Sequence, residues 1–335
     1  MPALSVRSEV HGGDARTAGP PGTLAHLPLP LFAAPMGVGG LGLAWREAAR
    51  TLGAPSAVGE SLLALSIALW AAIAALHLLR LLRHPGALAE DLRHPVRSAF
   101  AGAITIGLMI AAAALIPHAP RLAALVWGAA VAGHLGIAAW TVRDLLAAPR
   151  EAAALTPPLL IPLVGNILAP VFGVKLGFET ASWLLFGLGA LLWAMLQPLL
   201  LLRLMTGPAL PPKLRPTLAI LLAPPAVGSL ALAGLTGGFG PAPLSVLGLA
   251  LFLAGVLALL ARDLVRVPFA LSAWAWTFPL AAFCVALQAA AHAHPAPWQP
   301  PLLWVALVFA SAVVGLVAAR TLRLAASGGL LRPEG

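Results

Sequence analysis

Long apolar runs separated by short charged or turn-forming breaks occupy most of the chain. Ten of them reach or approach the roughly 20 apolar residues that a bilayer-spanning helix needs. They cover residues 29–46, 56–82, 96–116, 120–147, 157–174, 178–203, 216–234, 242–266, 272–292 and 299–324. The breaks hold charged and turn residues, as in Arg83-His84-Pro85-Gly86. This pattern predicts an all-α polytopic membrane protein with ten transmembrane helices.

The two ends of the chain differ from this pattern. Residues 1–28 hold charged residues and the turn-forming stretch Gly19-Pro20-Pro21-Gly22, and no apolar run follows a basic start as it would in a secretory signal. We expect residues 1–28 to form a flexible cytoplasmic N-terminal tail. Residues 29–324 are then the transmembrane domain, and residues 325–335 form a short cytoplasmic C-terminal tail.

The odd-numbered spans share an interruption inside the membrane, whereas the even-numbered spans are smoother runs of Leu and Ala. The interruptions recur about every 60 residues, which predicts five copies of one helical hairpin. The candidate kink and pore-lining residues are Pro35, Gly37, Gly40, Gly102, Pro162, Gly165, Asn166, Pro224, Pro225 and Pro279.

These interruptions predict which helices face the interior. A proline inside a helix removes one hydrogen bond, and the freed carbonyl is tolerated in hydrocarbon only where it is buried in protein or faces water. The odd-numbered spans are therefore expected to surround a shared interior, with the even-numbered spans toward lipid. Packing alone is the alternative at each single position, because Pro and Gly are common in membrane helices. Asn166 fits a pore dipole and a helix–helix hydrogen bond equally well.

Composition and charge narrow the class of protein. The chain is 60% apolar and only 9% charged, against about 25% charged in soluble domains, so a soluble enzyme and a disordered protein are both excluded. With the N-terminal tail in the cytoplasm, 16 of the 20 Arg and Lys residues lie on the cytoplasmic side, and Arg46, Arg50, Arg121 and Lys175 lie opposite. This bias follows the positive-inside rule and predicts that both termini are cytoplasmic. The net charge of +9 therefore does not indicate nucleic-acid binding.

Few residues in the predicted spans are ionisable or catalytic in type. His134 is the only ionisable residue near the centre of a span. It is interpreted either as a neutral ring that hydrogen-bonds to a neighbouring helix or as a site that binds a proton and responds to pH. No nucleotide-binding loop, activated nucleophile or ligand cluster is recognisable, so no enzymatic activity, cofactor or metal is expected. The charged cluster at 83–97 is typical of a positive-inside loop that caps helices rather than of an enzyme site. A pore without acidic residues does not repel anions, and exposed positive helix ends favour anions or neutral solutes over cations.

Several strings resemble a known family. Residues 274–281 read Trp-Ala-Trp-Thr-Phe-Pro-Leu-Ala, and residues 214–228 read Leu-Arg-Pro-Thr-Leu-Ala-Ile-Leu-Leu-Ala-Pro-Pro-Ala-Val-Gly. Less specific strings lie at 36–46, 94–106 and 161–171. From about residue 29 to 324, the chain resembles the tellurite-resistance/dicarboxylate transporter family, which includes the plant guard-cell slow anion channels. Gly102 departs from the family pattern, in which the third span has a proline.

The resemblance implies five helical hairpins around a quasi-five-fold central pore, in a homotrimer with one pore per protomer in the bacterial inner membrane. It also implies that Phe278 occludes the pore. Without the resemblance, Phe278 would be interpreted as an aromatic side chain packed in the core. Family members pass small anions such as chloride and nitrate. We therefore expect a passive anion channel. The alternative is a secondary transporter or exporter of C4-dicarboxylates or of oxyanions such as tellurite.

Overall fold

A computed structural model describes residues 23–147 and 151–332, and this part of the chain is helical without strands. The α-helices are α1 (Ala33–Thr51), α2 (Ser56–Arg83), α3 (Pro85–Arg93), α4 (Ala101–Leu115), α5 (Pro120–Ala147), α6 (Leu160–Val164), α7 (Ala169–Gly173), α8 (Glu179–Thr206), α9 (Ala223–Leu235), α10 (Pro241–Val265), α11 (Thr277–Ala293) and α12 (Gln299–Ala326). Of the two predicted tails, 1–28 and 325–335, residues 1–22 and 333–335 lie outside the described residues.

Eight helical segments of the described chain are long and apolar enough to cross a membrane. They are Ser56–Arg83, Ser98–Leu115, Pro120–Ala147, Glu179–Thr206, Pro212–Leu235, Pro241–Leu264, Leu271–Ala293 and Gln299–Ala326. They correspond to eight of the ten predicted spans, so the prediction of an all-helical membrane protein is confirmed at this level. The other two predicted spans correspond to α1 and to the shorter apolar segment Pro157–Gly173, which contains α6 and α7.

The first helix runs past its predicted end. α1 continues to Thr51 rather than stopping at residue 46, and it carries Arg46, Glu47 and Arg50 in its last turns. These charges interrupt the apolar run. The helix nevertheless continues, because Arg46 donates to both carboxylate oxygens of Glu60 at 2.7 Å, which neutralises its charge. α8 likewise continues through Pro198 as one helix.

Burial separates two sets of helices. In the segments that contain α4, α9 and α11, 61–78% of the most apolar stretch is buried inside the protein, against 17–33% in α2, α5, α8, α10 and α12. Large apolar side chains such as Leu259 and Leu184 project from the second set, with exposures of 85% and 72%. We call the odd-numbered spans the inner segments and the even-numbered spans the outer helices.

Helix contacts connect the inner segments to one another. Each inner segment packs on the outer helix that follows it: α1 on α2, α4 on α5, α6 and α7 on α8, α9 on α10, and α11 on α12. The inner segments also contact their neighbours in chain order, from α1 to α4, from α4 to α6 and α7, from α7 to α9, and from α9 to α11. α11 contacts α1, so the inner segments form a closed ring.

Each inner segment begins as a 3-10 helix and then becomes an α-helix. The 3-10 stretches that begin these segments are Leu29–Phe32, Ser98–Phe100, Pro157–Leu159, Pro212–Leu222 and Leu271–Trp276. The sequence predicted kinks inside continuous helices. Instead, Pro35, Gly102, Pro162, Pro224 and Pro279 are each the second or third residue of the α-helix that follows. The first N–H groups of an α-helix have no partner within it, so a proline there removes no hydrogen bond from the helix interior.

Side-chain donors satisfy backbone carbonyls in every inner segment. Each donor is a hydroxyl or an indole N–H, and each carbonyl lies at or near a change in helix type. In the fifth span this is a second change, from the 3-10 stretch Gly165–Leu168 to α7. The bonds are Ser66 to Pro35 (2.7 Å), Thr105 to Gly102 (3.0 Å), Trp127 to Ala169 (3.0 Å), Ser229 to Ala226 (2.8 Å) and Thr277 to Trp274 (2.7 Å).

A buried charge cluster connects α2, α3 and the start of the third span. The Asp91 side chain is 2% exposed and accepts hydrogen bonds from Arg80 at 2.6 Å and from Arg97 at 2.9 Å. Arg80 also donates to the carbonyl of Ala25 at 2.9 Å. The charged stretch at 83–97, expected to be a loop that caps helices, therefore contains a helix that ties the start of the ring to the N-terminal segment.

We expect Asp91→Asn to destabilise the protein by about 3 kcal/mol, because removing one member of a buried ion pair leaves the Arg80 charge uncompensated. Denaturant unfolding of the protein in detergent measures the change. The neighbouring Glu90→Gln is the matched control, since Glu90 is exposed. Equal stability of the two variants would contradict a structural role for the cluster.

Candidate pore and its constriction

A cavity of about 360 Å³ opens at the end of the ring where α1 and α11 finish. We call it the distal vestibule. All five inner segments contribute to its wall, through Gly40, Ala113, Phe172, Val227 and Phe278. Its position is therefore on the axis of the ring rather than between two neighbouring helices.

A second cavity of about 50 Å³ lies deeper in the ring, and we call it the inner cavity. All five inner segments line it as well, through Met36, Ile106, Val164, Pro224 and Ala275 among others. Leu168, Val227 and Phe278 line both cavities, so the two cavities meet at these three side chains. The passage between them is an apolar constriction.

The Phe278 ring fills this constriction against the backbone of α1. Phe278 is 7% exposed. A Cβ atom added to Gly40 would lie 3.1 Å from Cδ2 of the Phe278 ring and 3.3 Å from Cβ of Ala281. That separation is tight for carbon atoms, so the absence of a side chain at Gly40 gives the ring its present position.

The structure divides the other candidate pore residues into two groups. Gly165, Pro224 and Pro279 line the inner cavity, as Gly40 lines the distal vestibule. The rest line neither of the two cavities in the described structure: Pro35, Gly37, Gly102, Pro162, Asn166 and Pro225.

Two glycines of the second group allow inner segments to approach closely. An added Cβ on Gly102 would lie 3.0 Å from the backbone of Pro162, and one on Gly37 would overlap the Thr277 side chain. Packing therefore accounts for both positions. Asn166 is fully buried, and neither atom of its side-chain amide has a hydrogen-bond partner among the described residues.

His134 is fully buried on α5 and bonds across to α4. Its Nδ1 lies 2.6 Å from Oγ1 of Thr105, whose hydroxyl donates to the carbonyl of Gly102. In the tautomer whose Nδ1 carries the proton and donates to Thr105, Nε2 of the neutral ring is unprotonated. Nε2 has no partner among the described residues and packs against Gly165, which lines the inner cavity. Sequence reasoning found His134 but missed Thr105.

The mouth of the distal vestibule is lined mainly by basic residues that sequence reasoning had placed at the ends of spans or in the loops beside them. Arg46, Arg50, Lys175 and His292 line it together with one acid, Glu47, which accepts a hydrogen bond from Arg50 at 3.1 Å. The spacing of Glu47 and Arg50, three residues apart, was the available signal for a helical pair.

The Lys175 side chain is exposed to water in the vestibule, although the vestibule wall around it removes part of its hydration shell. Burial lowers the pKa of Lys175 below its ordinary value of 10.5, and the nearby Arg50 and Arg46 lower it further. The Glu47 carboxylate opposes this shift by favouring the ammonium form.

A third cavity, of about 450 Å³, lies at the opposite end of the ring, and we call it the terminal vestibule. The starts of the first, third, seventh and ninth spans line it, together with the segment that follows α12. The described ends of the chain meet here, because the backbone N–H of Thr23 donates to the carbonyl of Leu331 at 3.0 Å. No group of three potential metal ligands gathers in this or any other part of the described chain.

Comparison with known proteins gives consistent matches. The profile of the voltage-dependent anion channel family, SLAC1, matches residues 26–324. The S-type anion channel SLAH3 of Arabidopsis thaliana is 26% identical over 271 residues, which cover 78% of this chain and 43% of the relative. The tellurite resistance protein TehA homolog of Haemophilus influenzae is 27% identical over 201 residues, which cover 59% of this chain and 61% of the relative. The matched region thus spans about half the length of these relatives.

We expect Lys175 to titrate with a midpoint below 10.5 and Glu47→Gln to lower this midpoint further, because the variant removes the charge that favours the ammonium. The chain has two lysines, so NMR of ¹³C-dimethylated ε-amines resolves them, and Lys213→Arg assigns the signals. Above its midpoint Lys175 is neutral, and the distal vestibule loses one positive charge. A midpoint at or above 10.5, or a midpoint raised by Glu47→Gln, would contradict the described surroundings.

Proposed function

Because the chain belongs to the voltage-dependent anion channel (SLAC1) family, we propose that it is a passive channel for small anions of the chloride and nitrate class. Family membership also confirms the resemblance to the plant slow anion channels and to TehA-like proteins. The observation that carries the proposal is the meeting of two axial cavities at Phe278. Both cavities are lined by all five inner segments.

In the proposed architecture, α1 and the broken segment Pro157–Gly173 complete a set of ten spans. The ten spans form five hairpins around a quasi-five-fold pore, and the closed ring of inner contacts supports this arrangement. The excess of basic residues at the terminal-vestibule end supports placing both termini in the cytoplasm of a bacterium, with the protein in the inner membrane. The family resemblance supports a homotrimer with one pore per protomer, which native mass measurement in detergent tests.

The mechanism follows from the constriction. A narrow apolar passage excludes water, so an ion cannot cross it while the Phe278 ring closes it. Movement of the ring would join the distal vestibule to the inner cavity. No acidic residue lines the constriction within the described structure, and basic residues line both vestibules, so the potential along this path attracts anions and repels cations.

We expect Phe278→Ala to raise chloride and nitrate conductance at least about tenfold, which corresponds to removing a barrier of roughly 1.4 kcal/mol or more. Planar-bilayer recording with an anion substitution series measures the change. Phe252→Ala is the matched control, because Phe252 lies on α10 and is 67% exposed at the outer surface. Currents equal to wild type for Phe278→Ala, with the protein present in the membrane, would rule out the gate.

The second candidate function is a secondary transporter or exporter of C4-dicarboxylates or of oxyanions such as tellurite. The observation that favours it is the unpartnered Nε2 of His134, which packs against Gly165 at the wall of the inner cavity. A coupled transporter needs a group that can accept a proton near its substrate path, and a neutral imidazole ring is such a group in either tautomer.

Uptake of malate into vesicles under a pH gradient separates the two functions. The channel proposal predicts no accumulation above equilibrium by the wild type and no effect of His134→Ala on the current of Phe278→Ala. The transporter proposal predicts gradient-driven accumulation that His134→Ala abolishes. Thr105→Val is the control, because it removes the partner of Nδ1 but leaves the imidazole ring in place. Gel filtration of each variant verifies folding.

A further inference from the structure

An arginine recurs near the end of every outer helix. These arginines lie about 60 residues apart, the same period as the interruptions of the inner segments. They are Arg80, Arg143, Arg203, Arg262 and Arg320. Three of the five side chains are exposed, whereas Arg80 and Arg203 are only 4% and 6% exposed. The chain therefore buries two guanidinium groups at corresponding positions of its repeat.

The two buried arginines make the same backbone contact. Arg80 donates to the carbonyl of Ala25 at 2.9 Å, and Arg203 donates to the carbonyl of Ala153 at 3.4 Å. Ala25 and Ala153 are each the middle residue of a three-residue 3-10 helix. Each also lies four residues before the 3-10 stretch that begins an inner segment. The surroundings of Arg80 and Arg203 can therefore be compared as equivalent sites within one chain.

The two sites differ in what compensates the charge. The Asp91 carboxylate, supplied by α3, accepts a hydrogen bond from Arg80 at 2.6 Å. Arg203 forms no ion pair with a carboxylate of the described chain. Its Nε and Nη1 atoms are shielded from solvent and have no hydrogen-bond partner among the described residues. The sequence explains the difference, because no Asp or Glu occurs between Glu179 and Asp263 and the segment after α8 has no acid to offer.

We propose that Arg203 binds a small planar oxyanion of the nitrate or carboxylate class, which takes the place that the Asp91 carboxylate has beside Arg80. An unpaired charge buried to this degree is strongly destabilising, so an anion that pairs with it is held firmly. A guanidinium presents its N–H donors in a rigid plane that matches the oxygens of a planar oxyanion. The hydroxyl of Thr156 is 3% exposed, has no partner among the described residues and follows Ala153 by three residues, so it offers another donor in the same segment.

The site is enclosed and lies away from the candidate pore. Because Nε and Nη1 of Arg203 are shielded from solvent, the ligand is limited to a few atoms. Arg203 lines neither vestibule, and it does not line the inner cavity. The bound anion is therefore not a permeating one, and the inference does not depend on the proposed function. Its role is to join the segment before the fifth span to the end of α8, as Asp91 joins α3 to α2.

Thermal unfolding of the full chain in a zwitterionic detergent tests the site, with the fluorescence of its ten Trp residues as the signal. Nitrate replaces gluconate at constant ionic strength, because gluconate is too large for an enclosed site. We expect a saturable rise in the unfolding midpoint of about 5 °C once nitrate exceeds its Kd about a hundredfold. Chloride lacks the planar oxygens, so we expect it to need a concentration about tenfold higher for the same rise.

Variants assign the rise to Arg203. Arg203→Gln removes the buried charge, so its unfolding midpoint should not depend on nitrate. Arg262→Gln is the matched control and should keep the full rise, because Arg262 has the corresponding position on α10 but is exposed. If Arg203→Gln does not fold, Arg203→Lys keeps the charge without the planar donors and should need about tenfold more nitrate than the wild type. A wild-type midpoint that is independent of nitrate, an equal rise in an Arg203 variant, or loss of the rise in Arg262→Gln would overturn the proposal.

Phosphatidylglycerol added to the micelles in gluconate distinguishes a free anion from the phosphate of a lipid headgroup. The proposal predicts that this lipid changes the midpoints of the wild type and of Arg203→Gln equally. If the lipid raises the wild-type midpoint alone and nitrate adds nothing further, a headgroup phosphate pairs with Arg203 and the small-anion site is wrong. None of these measurements involves a current, so their failure leaves the proposed channel function untouched.

Discussion

The need to satisfy backbone carbonyls inside a bilayer governs the inner ring. Where a segment changes from a 3-10 helix to an α-helix, the regular hydrogen-bond ladder changes with it, and lipid offers no replacement donor. In three inner segments, a hydroxyl three residues downstream donates to the carbonyl, as Thr105, Ser229 and Thr277 show. In the other two, Ser66 and Trp127 donate from an outer helix. These bonds let the segments change helix type while remaining close enough to enclose the axial cavities.

Hydropathy and the recurrence of Pro and Gly were sufficient to predict the eight long apolar helices and to separate the buried segments from the exposed helices. They were not sufficient to locate the polar contacts, because these join residues far apart in the chain. The hydropathy pattern predicted that the first span ends at residue 46. In the structure α1 continues to Thr51, because Arg46 pairs with Glu60 on α2. The stretch at 83–97 was predicted to be a loop that caps helices, but Asp91 is buried because Arg80 and Arg97 both donate hydrogen bonds to it.

In the candidate pore, too, a residue within a recognisable local string could be predicted, whereas residues that meet only in the folded chain could not. Phe278 was identified through a string of neighbouring residues, and the structure places it where two cavities meet. Leu168 and Val227, which share the constriction, have no distinguishing local pattern and become visible only when the ring closes. Gly102 and Pro162 were both interpreted as kinks, but their close approach reflects packing between two inner segments.

The dimensions of the cavities determine where a membrane voltage would act. Four outer helices have 28 residues each, a length of about 42 Å, which exceeds the roughly 30 Å of a hydrocarbon core. Along the ninth span, the terminal vestibule reaches Ser272 and the distal vestibule begins at Phe278, a separation of only about 12 Å at the rise of a 3-10 helix. With water in both vestibules, nearly all of the electric field is concentrated across this short distance, and a charge within it experiences a steeper potential than a charge in either vestibule.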